Sequence, residues 1–203
     1  MTITGTTISL FSVGTFLNVA PTTKTFSFTD LSISDSLIDS QISLFSMNNL
    51  GSSQDIRFEF MKLTFDQISF VNTGNLLELN HNLPNALVIR NSTFTNLSSA
   101  GIVVGSKSTS SSNILKSKVD FIGCSFDSFS SNSGSFISAY GGAMVKVTES
   151  SFTNMETLAE GAVLTAGESS AEVIIVDSTF QNNSAVQGSV FNIESGSKVS
   201  CTN

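Results

Sequence analysis

The sequence predicts an all-β chain coiled into a parallel β-helix, and three observations carry that prediction. An eight-residue phrase recurs five times: an apolar residue, a second two places on, and a phenylalanine five places after that. The copies are Leu63/Phe65/Phe70, Leu87/Ile89/Phe94, Val119/Phe121/Phe126, Val145/Val147/Phe152 and Val173/Ile175/Phe180. The phenylalanines lie 24, 32, 26 and 28 residues apart, within the range of solenoid repeats. Ser and Thr make up roughly 58 of the 203 residues, with about 17 Asn, against only 12% charged residues. Hydroxyls and amides therefore coat the surface, on residue types that favour strand faces and turns over helices.

Within each phrase the apolar pair brackets Thr64, Val88, Asp120, Lys146 or Ile174, and a period of two marks a strand. Two places after the phenylalanine stands Asn72, Asn96, Ser128, Asn154 or Asn182. A turn is expected there, with the amide bonding backbone groups of neighbouring coils. A glycine then follows (Gly74, Gly101, Gly134, Gly161, Gly188) and opens a second alternating run. No repeat contains an Asn-Gly or Asp-Gly pair, so tight hairpins are not the solution. One circuit per repeat, with parallel pairing between circuits, is. Phe70, Phe94, Phe126, Phe152 and Phe180 are then expected to stack in one internal column.

Towards the N-terminus Gly14 precedes Phe16, Leu17 and Val19, and Leu31/Ile33/Ile38 reproduces the phrase with Ile for Phe. About seven coils are expected in a single domain over 1–203, regular from about 63 onward and least clear between Ile38 and Phe60. Lys107–Asn113 and Asn80–Asn85 read as surface loops.

Composition narrows the partners. A net charge of -7 with two arginines, Arg57 and Arg90, excludes a phosphate-backbone binder, so no nucleic acid is expected. No apolar stretch reaches the length of a membrane span. Met1–Ala20 lacks the basic start and apolar centre of a signal peptide. Cys124 and Cys201 are too few for a disulfide framework or a zinc site. Three coils apart, at about 4.8 Å per coil, their sulfurs are expected as two free thiols roughly 14 Å from each other.

Tyr140-Gly141-Gly142-Ala143-Met144 and Phe180-Gln181-Asn182-Asn183 resemble the G-G-A-aliphatic and F-x-x-N halves of the repeat in polymorphic outer-membrane proteins. That group belongs to the pectin-lyase-like right-handed β-helices. The resemblance runs from about Leu63 to the C-terminus, with decayed copies at Gly161-Ala162-Val163-Leu164 and Phe152-Thr153-Asn154. It implies a right-handed β-helix with an extracellular, adhesive or surface-structural role. No C-terminal membrane barrel is recognisable, so the bacterial secretion route is not implied.

Related β-helices include pectate lyases and polygalacturonases, whose clustered aspartates with calcium and arginine, or N-x-D, D-D and G-H-G groups, are missing from this sequence. The single histidine, His81, falls in a loop beside Pro84. Arg90 and Asp66 are expected to form a stacked ion pair on adjacent coils. Glu149 and Asp177, each three places before a phenylalanine, are expected to stack about 4.8 Å apart; hydrated surface charges are the first reading, a calcium or acid/base pair the second. Three N-x-[Ser/Thr] sequons begin at Asn91, Asn96 and Asn182, no more than chance gives in so Ser/Thr-rich a chain. Asn91 aligns with Gln67, Glu149 and Asp177, an exposed set, and is the glycosylation candidate.

No catalytic residue, cofactor or metal site is therefore expected. The reading is a non-catalytic structural or adhesive module, extracellular or at a cell surface. The alternatives are a glycan-binding adhesin domain and a degenerate polysaccharide lyase or hydrolase. The sequence opens on strand-like Ile3 and Ile8-Ser9-Leu10 and closes on Lys198-Val199-Ser200-Cys201, which reads as the start of another coil. Self-association through the helix ends and membership of a longer parent solenoid both fit this.

Overall fold

The computed structural model describes residues 2–4, 7–10, 17–18, 25–40, 43–46, 57–71, 75–80, 86–98, 101–105, 118–132, 134–167, 171–194 and 196–203. These form a parallel β-solenoid of three sheets, without a helix among the described residues. His81, Asn72, Gly74 and the Lys107–Asn113 loop lie outside the described residues.

Sheet 1 holds seven strands: Thr25–Thr29, Arg57–Met61, Ala86–Arg90, Lys118–Ile122, Met144–Thr148, Glu172–Val176 and Lys198–Thr202. Sheet 2 holds ten, of which Thr64–Val71, Thr93–Ser98 and Ser125–Ser131 continue the circuits of sheet 1. Sheet 3 has seven short strands, among them Leu77–Asn80, Ile102–Gly105, Ile137–Tyr140, Leu164–Gly167 and Phe191–Ile193. Four successive circuits, 57–80, 86–105, 118–140 and 144–167, are paired on both sides in all three sheets. That is the regular solenoid, shorter than the seven or so coils expected; the flanking circuits continue the sheets with fewer partners.

Alternation explains the core. In Lys118–Ile122 and Met144–Thr148 the residues at positions two and four are buried and their neighbours are not. Val119, Phe121, Val145, Val147, Val173 and Ile175 are all at most 3% exposed. Fully burying such a side chain is worth about 1.5–3 kcal/mol, and parallel in-register pairing repeats that gain in every circuit.

The phenylalanine column exists, with one member changed. Phe65, Phe94, Phe126, Phe152 and Phe180 occupy one register position, and adjacent rings stack with centroids 4.5 to 5.5 Å apart. Phe70 pairs instead with Ile38. The phrase slips by five residues in the first two copies because Leu63 and Leu31 fill the corner position held later by Ser92, Cys124, Ser150 and Ser178. A leucine there, a Phe or Ile two places on and an apolar residue five places further imitate the phrase. The true equivalents of Leu87/Ile89/Phe94 are Phe58/Phe60/Phe65 and Phe26/Phe28/Ile33.

Each circuit passes from sheet 1 to sheet 2 through two residues, and the first is left-handed in every one: Asp30, Lys62, Asn91, Gly123, Glu149 and Asp177 have φ between 48° and 61°. Its N–H donates to a carbonyl of the next circuit, as from Asn91 to Ile122 O and from Glu149 to Val176 O, both 3.0 Å. A second left-handed column, Asp35, Gln67, Asn96, Ser128, Asn154 and Asn182, bends sheet 2. Gln67 therefore belongs to this column, and Lys62 takes the place beside Asn91 that the sequence alignment gave it.

Gly101 departs from the expected glycine column. It stands one residue before its sheet 3 strand, where Phe136 and Val163 stand in later circuits, while Gly161 and Gly188 stand three before. A Cβ at Gly101 would collide with the backbone carbonyl of Phe136. The ring of Phe136 packs against Phe94, Phe126 and Phe129. In Tyr140-Gly141-Gly142-Ala143, Gly141 has a φ of 60° and Ala143 N donates to Tyr140 O, which joins sheet 3 to sheet 1 in three residues.

Candidate functional site

The corner column carries a feature that the periodic reading missed. Ser92 Oγ donates to Arg90 O at 2.9 Å and accepts Leu63 N–H at 3.0 Å from the preceding circuit. Ser150 does the same with Thr148 O and Cys124 N–H, and Ser178 with Val176 O and Ser150 N–H. Burial makes these bonds matter, since an unpaired buried N–H costs about 1–3 kcal/mol. Cys124 interrupts the ladder: its thiol donates over 3.5–3.6 Å to Ile89 O and Ile122 O. Burial pushes that thiol up from its ordinary 9.0, against smaller lowering effects of backbone hydrogen bonds at Ser92 and Ile122. The signal was present in the sequence as a small hydroxyl or thiol two places before each later phenylalanine.

The expected amide ladder is real but bonds differently. Asn96 Nδ2 donates to Asp66 Oδ1 at 3.0 Å, Asn154 Nδ2 to Asp127 Oδ1 at 2.9 Å, and Asn182 Nδ2 to Asn154 Oδ1 at 3.4 Å, all on the exposed surface. The amide that bonds neighbouring backbone is Asn183, one residue on. Its Oδ1 accepts Met155 N–H at 3.0 Å and its Nδ2 donates to Phe152 O at 3.2 Å. It occupies the column of Ile68, Leu97, Phe129 and Met155 and satisfies the exposed end of that column.

Of the charged candidates, Arg90 and Asp66 are not stacked. Arg90 lies in sheet 1 opposite Met61 and Ile122, whereas Asp66 lies in sheet 2 opposite Ser34 and Thr95. The five-residue slip of the phrase caused that misalignment. Glu149 and Asp177 do share a register position, as exposed left-handed turn residues. Asn91 is exposed in the same column, its Oδ1 lying 2.8 Å from where a Cβ on Gly123 would be. Among the described residues no three His, Cys, Asp or Glu side chains gather as a metal-ligand group. Cys124 and Cys201 are free thiols, the first buried and the second exposed.

Two surfaces stand out. A groove of about 470 Å³ runs between the last strands of sheet 2 and the outer face of sheet 3. Leu158 and Val186, 64% and 76% exposed, form one wall, and Tyr140 closes part of the other. The floor is polar: Ser138, Thr165 and Asn192 share a register position. Ser135 and Thr165 hydroxyls hydrogen-bond at 2.6 Å, and Asn192 Nδ2 donates to Glu160 Oε2 at 2.6 Å. Glu160 and Glu194 both line the groove, and no lining residue among the described residues is cationic. Such a surface offers hydrogen bonds to hydroxyl-rich ligands and repels anionic ones.

The second surface is the end of the solenoid formed by 179–202. Phe180, Ala185, Val190, Phe191 and Val199 stand in core columns yet are only partly buried. Ile193, in the column of Ala139 and Ala166, is 49% exposed, and Cys201, in the column of Val147 and Ile175, is exposed. No protein-family model matches this chain, and comparison with curated proteins gives no match either.

Proposed function

We propose that the chain is a non-catalytic structural module of an extracellular or cell-surface assembly, joined to its neighbours by stacking solenoid ends. The half-exposed core residues of the 179–202 end carry this reading. Among the described residues strands Thr179–Gln181, Phe191–Ile193 and Lys198–Thr202 stand last in their sheets, and an outer strand edge templates pairing with another strand. A second copy, or further coils of a longer parent chain, would bury both. The surface location rests on the resemblance of Tyr140–Met144 and Phe180–Asn183 to the outer-membrane repeat. Concentration-dependent sedimentation and electron microscopy of the 203-residue protein test the proposal: end-to-end oligomers are expected, and a monomer at high concentration rejects self-stacking.

A second reading is favoured by the groove. Tyr140, exposed apolar walls and a hydrogen-bonding floor suit a neutral glycan, held by stacking on the ring and by amide and carboxylate contacts. The two lining glutamates, Glu160 and Glu194, disfavour a polyuronate. Titration with neutral and acidic oligosaccharides, followed by Tyr140 fluorescence, separates the two ligand classes.

A further inference from the structure

We infer that the groove selects sugars carrying an acetamido group: its methyl lies on Leu158 and Val186, its N–H donates to Glu160, and the sugar ring packs on Tyr140. The inference rests on the glycan reading of the groove and names the class of sugar.

A bulge builds the apolar wall. Strands Glu156–Glu160 and Ser184–Gln187 pair at Thr157 with Ala185 and again at Glu160 with Gln187, so Leu158 and Ala159 together face Val186. Such a bulge twists its strand locally and re-aims the side chains on it. The adjoining pairings run without a shift. Thr157, 2% exposed, holds the bulge by accepting Ala159 N–H on its Oγ1 at 3.1 Å. Two aliphatic side chains, 64% and 76% exposed, thus stand beside a polar floor. A sugar with hydroxyls alone leaves them unmatched, whereas an acetamido group sets a methyl next to a hydrogen-bonding amide.

The floor offers the complementary polar atoms. Ser138 lines it, is 8% exposed, and its hydroxyl has no hydrogen-bond partner among the described residues. A hydroxyl so placed is costly to leave unpaired, and the acetamido carbonyl supplies its acceptor. The hydroxyls of Ser135 and Thr165 are already engaged with each other and with Glu160 O. Glu160 stands two residues beyond Leu158, and Asn192 Nδ2 holds its Oε2 at 2.6 Å, which leaves Oε1 for the acetamido N–H.

Across the groove, Tyr140 pairs with Gly167, and Glu194 continues the ladder beside Gly167 by donating its N–H to Ala166 O at 2.8 Å. Gly167 leaves an open place between the two: a Cβ there would stand 2.6 Å from Glu194 Oε2. Two strand spacings, about 10 Å, separate the Tyr140 and Glu194 backbones. The apolar face of a sugar ring lies on Tyr140 in this slot, and its hydroxyls donate to Glu194.

Calorimetric titration of the 203-residue protein with three tetramers of one β-linked backbone tests the inference. They are the N-acetylglucosamine tetramer, the glucose tetramer with hydroxyl in place of acetamido, and the glucosamine tetramer with free ammonium groups. The acetamido tetramer is expected to bind about tenfold tighter than the glucose one, the low end for a small apolar group matched by a pocket. Leu158→Ser with Val186→Ser changes two exposed side chains. It is expected to cut that preference below about threefold and to leave the affinity for the glucose tetramer unchanged. Equal binding of the acetamido and glucose tetramers, or tightest binding of the ammonium form, overturns the acetamido assignment and leaves a glycan groove standing. A preference that survives the double substitution overturns it too, because the methyl then lies elsewhere. Binding of none of the three overturns both the assignment and the glycan reading.

Discussion

Phe126 and Phe152 stack face to face at a centroid distance of 4.5 Å and an interplanar angle of 11°, the tightest contact of the ring column. Phe126 also meets Phe94, Phe121 and Phe136, so one side chain ties three circuits together. Phe126→Ala removes these contacts and leaves a cavity that parallel strands on both sides cannot collapse. A loss of about 3–5 kcal/mol is expected in urea unfolding, whereas exposed Ser69→Ala should stay within about 0.5 kcal/mol. Equal shifts in the two midpoints would contradict the column.

Ser150→Ala tests the hydroxyl ladder. Thr148 O keeps a second donor in Gly123 N–H, but Cys124 N–H loses its acceptor inside the core. The expected cost is about 1–3 kcal/mol, a full desolvation penalty for one orphaned donor. Ser151→Ala, whose 3.4 Å bond to Ser125 is on the surface, should leave the unfolding midpoint almost unchanged. A Ser150→Ala protein as stable as Ser151→Ala would remove the ladder from the account.

The fold was legible because burial in a parallel coil repeats the same apolar positions, and from Leu87 onward the phrase marks them in the correct register. It misled at Leu31 and Leu63, where the corner is packed with leucine and the apolar pattern alone cannot tell a corner from a strand. The charged pairing of Arg90 with Asp66 inherited that slip. The groove could not be read in advance, since Tyr140, Asn192 and the pair Leu158 and Glu160 come from three circuits and two sheets and meet only through coiling. The end surface was half legible: the strand-like sequence around Val199 was visible, but the partial burial of Phe180, Phe191 and Val199 required the packing.

Cys124 gives a pH signature. Burial raises its pKa above 9.0, so on raising pH the unfolded chain loses this proton before the folded chain does. Its contribution is fully present below about pH 9 and declines from there up through the folded value, with a slope of up to about 1.4 kcal/mol per pH unit. Cys124→Ser lacks the titrating group and restores a hydroxyl to the ladder, while exposed Cys201 is common to both proteins. The stability difference between wild type and Cys124→Ser should be flat between about pH 6 and 8 and move against wild type above about pH 9. A difference that stays constant to about pH 10.5 would show that the thiol is not held protonated by the fold.

The left-handed corner supplies a pair of substitutions with opposite signs. Glu149 and Gly123 hold the same turn position in successive circuits, with φ of 50° and 61°. An L-residue in this conformation costs roughly 1–2 kcal/mol relative to its right-handed form, and Glu149 has no partner in a core to compensate, being exposed. Glu149→Gly relieves that strain but adds backbone entropy to the unfolded chain, about 0.5–1 kcal/mol. The net should fall between neutral and about 1.5 kcal/mol stabilising. Gly123→Ala introduces the strain and also places a Cβ 2.8 Å from Asn91 Oδ1, forcing that side chain to move. A loss of about 1–2 kcal/mol is expected. Both variants keep the N–H that bonds the next circuit, so neither alters that hydrogen bond. If Gly123→Ala proves neutral while Glu149→Gly destabilises, the corner is not left-handed in solution, and the two-residue passage between sheets 1 and 2 must be built another way.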